Sequence, residues 1–232
     1  MSRVLLAPVF AVVAAALSSA ADPAPAGAPP KTTMLVPGKV LLDDPLTAAP
    51  GKDWKLGKGK WEASDGAVRG AEVKADMHGA VMRRSVEMKD AVIAYSFKLD
   101  GTKTTSLSLN GAKGHISRVR ITPTGVSVQK DDQDGKDGPD KAAVLDTVTT
   151  DVKAGEWHTL VVELRGPDIL ATLDGTHTAF GTHDAVGAPK TNLGLTVAGE
   201  SASFKSLKVY EAKETLKDWD ATRAKLLAGR KK

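Results

Sequence analysis

Two histidines stand where a proton could be moved. His78 lies at a strand entrance beside Asp76, in ADMHGAVMR, and can be read as a base, as a metal ligand, or as a turn histidine held by its neighbouring carboxylate. His115 opens a strand two residues before Ser117, with Arg118 close behind. If that strand turns His115 and Arg118 toward the polar side of Ser106 and Ser108, the four line a pocket; otherwise they are polar groups at an edge. Lys130, Asp131 and Asp132 continue the next strand and can reach the same face. An imidazole near neutrality can take a proton, and a fixed cation can hold the charge that develops.

The loop from Asp131 to Lys141, DDQDGKDGPDK, invites a cation, since hard cations want clustered oxygens. The calcium-loop frame fails, because counting back from Gly135 puts Lys130 first and Lys141 last, so a solvated loop is the plainer reading. A divalent metal stays open, with its ligands unassigned. Glu200 after Gly199 is a further polar candidate. His158 shares a strand face with Leu160 and Val162 and reads as a packed histidine, while His177 and His183 read as surface groups. Trp54, Trp61, Trp157 and Tyr95 fall in strand-core patterns and are expected to pack.

The elements that must position these groups are strands. From Trp157 the chain alternates, with His158, Leu160, Val162 and Leu164 on one side and Trp157, Thr159, Val161 and Glu163 on the other. That period of two marks a β-strand. Gly166-Pro167-Asp168 reverses it into Ile169–Leu173, closed by Asp174-Gly175. Asp65-Gly66 signals another hairpin, Ala91–Leu99 ends at Asp100-Gly101, and Thr104–Asn110 turns Leu107 and Leu109 inward and Ser106, Ser108 and Asn110 outward. In His115–Thr122, Ile116, Val119 and Ile121 cannot share a face, which predicts a bulge. About a dozen short strands with frequent turn signals predict an all-β fold, two packed antiparallel sheets. Only 214–227 changes to helical spacing, which predicts a short C-terminal α-helix.

The rest of the chain bounds the function. Arg3, an apolar run from Val4 to Leu17 and small residues through Ala21 predict a signal peptide over 1–21, and hence a periplasmic or extracellular protein. The run is short of the ~20 residues that span a bilayer, so no membrane span is expected after cleavage. Residues 22–37, rich in Pro and Ala, are expected to be a disordered spacer. The sandwich domain is then 38–212, and 213–232 holds the helix and a basic tail. There is no cysteine, so burial alone must stabilise the fold. A net charge of +4 with both signs interspersed gives no basic stripe, which argues against nucleic acid as a partner. The oligomeric state is not legible.

The order GKWEASDGAVRG, HGAVMR, EWHTLVVELRGPDILATLDG and GESASFKSLKVYEA resembles the concanavalin A-like jelly rolls, and among them the 3-keto-disaccharide hydrolase domain family, relatives of laminarinase-like glycoside hydrolases. The resemblance runs from Leu41 to Ala212. Laminarinase-like enzymes carry Glu-x-Asp-x-Glu on one strand, and no such spacing occurs here, so double-carboxylate retaining chemistry is rejected. The 3-keto family implies another route, in which a C3 ketone acidifies the C2 proton, the enolate expels the glycosidic oxygen, and water adds back. The expectation is an exported hydrolase or lyase acting on 3-keto-glycosides or related small saccharides. The alternatives are a saccharide-binding module without catalysis and a structural envelope protein. Modules that bind by stacking want exposed aromatics, and this chain has few.

Overall fold

The computed structural model describes residues 28–136, 138 and 140–229. The expected signal peptide, the spacer up to residue 27 and the basic tail lie outside the described residues. Thirteen strands run in order: β1 (Leu35–Asp44), β2 (Trp54–Lys58), β3 (Lys60–Ser64), β4 (Ala67–Ala71), β5 (Ala80–Met88), β6 (Ala91–Gly111), β7 (Gly114–Thr122), β8 (Gly125–Lys130), β9 (Ala143–Thr149), β10 (Trp157–Arg165), β11 (Asp168–Leu173), β12 (His177–Thr182) and β13 (Lys190–Thr215). The helix α1 (Trp219–Ala228) follows. Every ladder is antiparallel.

Two strands tie the layers together. The first part of β6 pairs with β10 and its second part with β7, while β13 follows β6 along nearly its whole length. One layer therefore reads β12-β11-β10-β6-β13-β4-β3, with β1 also on β13, and the other reads β9-β8-β7-β6-β13-β5-β2. Asp100-Gly101, expected to end a strand, instead bends one. Gly101 at φ +79° pairs with Ser201 and Gly199 at φ +102° pairs with Thr102, among register shifts, and these bulges turn both strands from one layer into the next. Glu200 packs over Gly101, where an added Cβ would fall 2.1 Å from its Oε2, so it belongs to this bend.

The alternation fills the space between the layers with Ile93, Phe97, Leu107, Leu109, Val119, Leu160, Val162, Leu195 and their neighbours. Asp65-Gly66 and Asp174-Gly175 both have positive φ at both residues, the geometry that two-residue hairpins need. The predicted slip in β7 is present, as the register with β6 shifts between Leu109 and Asn110 so that Ser117 and His115 are the successive partners.

A second apolar cluster covers the outer side of the first layer. Met34 and Leu35 from the entering chain, and Trp219, Leu226 and Leu227 from α1, pack on Val92, Leu170, Phe180 and Tyr210. The Glu163 carboxylate accepts from the backbone N–H groups of Thr33, Met34 and Leu35 at 2.8, 2.8 and 2.7 Å. Packed structure thus starts at Thr33, inside the stretch expected as spacer, and the helix starts five residues later than 214. Arg223 clamps α1 to the start of β11, its Nε and Nη2 donating to the Asp168 carboxylate at 2.7 and 3.0 Å.

Candidate functional site

The outer face of the second layer is polar, and strand pairing arranges it in rows. The central row crosses six strands as Lys55, Arg83, Gly194, Ser108, Arg118 and Gln129, each paired with the next. On one side lies the row Thr196, Ser106, Arg120 and Ser127. On the other lie Ser85, Asn192, Asn110 and His115. Ser106 and Ser108 face outward yet are buried, Ser106 Oγ accepting from Thr196 Oγ1 at 3.1 Å and Ser108 Oγ donating to Gly194 O at 3.3 Å.

His115 is held by a relay. Its Nδ1 is 2.5 Å from Asn110 Oδ1, and Asn110 Nδ2 donates to Asn192 Oδ1 at 2.8 Å. With Asn110 presenting its oxygen, the proton sits on Nδ1 and the Nε2 lone pair is free. Burial, then the positive charge of Arg118, hold the imidazole below its usual pKa, with Arg83 acting in the same sense and Asp131 opposing. It is therefore neutral at pH 7.

Arg118 is fixed by Asp131, its Nε lying 2.9 Å from both carboxylate oxygens, while Gln129 donates to the same carboxylate at 2.7 Å. Asp131 is thus a support for Arg118 rather than a group open to hydroxyls or metal. Gly194 forms the floor. An added Cβ there would fall 2.6 Å from Ser108 Oγ and 3.4 Å from Arg83 Cγ, and its φ lies outside the left-handed region. Gly194→Ala is accordingly expected to fold but to push Ser108 Oγ aside at a cost of about 1–3 kcal/mol, and to lower activity or ligand affinity on the order of tenfold or more by raising the floor. Thermal unfolding beside a titration checks both halves.

The structure brings His115, Arg118, Asp131, Ser106 and Ser108 together and leaves three expected residues elsewhere. Lys130 has the parity of Val126 and Val128 and turns inward, where it pairs with Asp140 and donates to Lys141 O at 3.0 Å. Asp132 belongs to the loop beyond, its Oδ1 accepting the Asp134 and Gly135 N–H groups. Carboxylate oxygens of Asp132, Asp134 and Asp140 come within 4.8 Å of one another, but all three carboxylates are already engaged by Lys130 or by backbone N–H groups. His78 is exposed, with Nδ1 2.7 Å from Gly79 O, while Asp76 accepts instead from Gly59 N–H. It precedes the end of β5 that pairs with Val197, whereas His115 belongs with Ser85 and Asn192, so about 16 Å of strand separates the two rows. Arg83, Asn110, Asn192, Gln129 and Gly194 were not foreseen.

The other histidines sit as expected. His158 is buried, stacked on Phe97 and bonded to Asp174 and Lys153 O. His177 bonds Thr150 and Thr176, and His183 caps a short turn. Trp54, Trp61 and Tyr95 are buried. Trp157 is 38% exposed on the outer side of the first layer, with Lys205 Nζ 3.9 Å from its ring centroid.

This architecture is that of the jelly-roll domains found in glycosyl hydrolases and carbohydrate-binding modules. The fold is similar to SCLam, a non-specific endo-β-1,3(4)-glucanase of family GH16 (TM-score 0.60, 11% identity, 78% of this chain and 94% of that one). It is similar to the carbohydrate-binding module CBM66 from Bacillus subtilis (TM-score 0.58, 15%, 68% and 96%) and to a galectin-like protein of unknown function from the same organism (0.56, 12%, 77% and 99%). More narrowly, the chain belongs to the family of the 3-keto-alpha-glucoside-1,2-lyase-like domain, whose family model matches residues 40–210. Among curated proteins none matches it.

Proposed function

We propose that this is an exported carbohydrate-active enzyme that cleaves 3-keto-glycosides by elimination and hydration. The observation that carries the reading is His115, its Nδ1 2.5 Å from Asn110 Oδ1, standing beside the Asp131-braced Arg118. His115 Nε2 takes the C2 proton. The C2–H and C1–O bonds break, a C1–C2 double bond forms, and the proton goes to the departing oxygen. Arg118 faces the enolate oxygen, and the buried Ser108 and Ser106 lie in the sheet beneath the ring. Water then adds its hydroxyl to C1 and a proton to C2. The matched family supports the substrate class, and the sequence of residues 1–21 supports export.

A stacking module is the weaker reading, since no Trp, Tyr or Phe occupies the rows of this face. The test is release from a chromogenic 3-keto-glucoside by the purified mature protein, with and without EDTA. Release unaffected by EDTA assigns the enolate to Arg118, and release abolished by it assigns a metal. His78→Ala is expected to keep the parent rate. Since the base acts neutral and its pKa is depressed, the acid limb of the pH–rate profile is expected below the ordinary histidine value near 6.5. A limb at or above 6.5 would sink His115 as the base, and no release across a panel of keto-sugars would sink catalysis.

A further inference from the structure

We infer that the polar face takes a saccharide carrying an anionic substituent, a carboxylate or a sulfate, and that Arg83 receives it; this rests on the saccharide site argued above. The described arginines divide in a telling way. Arg69, Arg84, Arg118, Arg165 and Arg223 each have a carboxylate within 4.0 Å. Arg83 and Arg120 have none, and both stand on this face, as does the exposed and equally unpaired Lys55. None of the residues paired in these rows is a carboxylate, and Asp131, which follows Gln129 and Lys130 on the chain, is committed to Arg118 and Gln129.

The position of Arg83 adds to this. Its stem lies beside the Gly194 floor, 3.4 Å from the place a Cβ would take, so the aliphatic part is seated and the guanidinium extends from it. Arg83 and Arg118 are three strand spacings apart, roughly 14 Å between backbones, with Gly194 and Ser108 between them. That gap suits one sugar ring. A guanidinium with every donor unspent matches the paired oxygens of a carboxylate or sulfate, which a neutral sugar does not offer. Its charge also reaches His115, so the anion sits within range of the base.

The experiment is calorimetric titration of the mature protein with a neutral glucose disaccharide, its glucuronate-containing counterpart and its sulfated counterpart, at low and high salt. Both anionic sugars, or one of them alone, are expected to bind about tenfold or more tighter than the neutral one, with the gain shrinking in salt. Arg83→Gln is expected to abolish that gain and Arg83→Lys to keep part of it. Lys205→Gln, an equal loss of charge on the other layer, is expected to keep all of it. Equal affinities for neutral and anionic sugars, or a preference surviving Arg83→Gln, would overturn the inference. Keto-glucoside turnover without an anion preference would leave the proposed reaction standing while this inference falls, and an anion preference without turnover would do the reverse.

Discussion

His115→Ala is expected to lower kcat/KM for a 3-keto-glycoside by 10²–10⁴-fold, the usual worth of a positioned acid–base group. The loss should fall on kcat, because the ring contributes a proton acceptor more than a binding surface. Folding should survive, since His115 is only half-buried and, among the described residues, its ring bonds only Asn110. A sharper arm is Asn110→Leu, which leaves the imidazole in place but removes the acceptor that selects its tautomer. Part of the population then carries the proton on Nε2 and cannot act, so kcat should fall by less than in His115→Ala while KM holds. Should His115→Ala keep the parent rate, the base lies elsewhere and the relay is only structural.

The largest stability effect is expected at Glu163. Glu163→Ala leaves the N–H groups of Thr33, Met34 and Leu35 without acceptors beneath buried side chains. Each orphaned group costs about 1–3 kcal/mol, but the segment can peel off and hydrate, which caps the loss near the burial of Met34 and Leu35, roughly 3–6 kcal/mol together. Glu163→Gln keeps one acceptor and should lose less. Burial raises the Glu163 pKa despite the three N–H groups, which lower it. Because the folded value lies above the unfolded one, its contribution is complete below the ordinary carboxylate range and is lost as pH rises through the folded value. Thermal unfolding across that window should therefore show a decline with pH in the parent that Glu163→Gln lacks. A parallel slope in both would reject the assignment.

Much of this arrangement was legible because strands write their facing in alternate residues. Ser106, Ser108 and Asn110 against Leu107 and Leu109 already divide inside from outside, while the slip at Ile116 left the side of His115 open until its pairing with Asn110 fixed it. Lys130 carried the same kind of signal, since it keeps step with Val126 and Val128 and so had to turn inward. What alternation does not carry is which distant strands meet. Arg83 gains its meaning from Gly194, 111 positions later, and Asn110 from Asn192. The strands β6 and β13 read as pairs of short strands because Asp100-Gly101 and Gly199 have turn chemistry, and only their mutual pairing makes them bends. Trp157 had core character by type, yet its parity with Thr159 and Glu163 put it outside.

Leu216 N–H donates to Met34 O at 2.9 Å, so the first strand of the sandwich begins where its last one ends, on the layer turned away from the arginine rows, with α1 packed on that same layer. Such a body can be spliced into a loop of another protein, or joined end to end and reopened at a hairpin such as Asp65-Gly66, without forcing its first and last strands apart. Whatever it is grafted onto stands behind it, and the sugar-facing side looks outward from the joint.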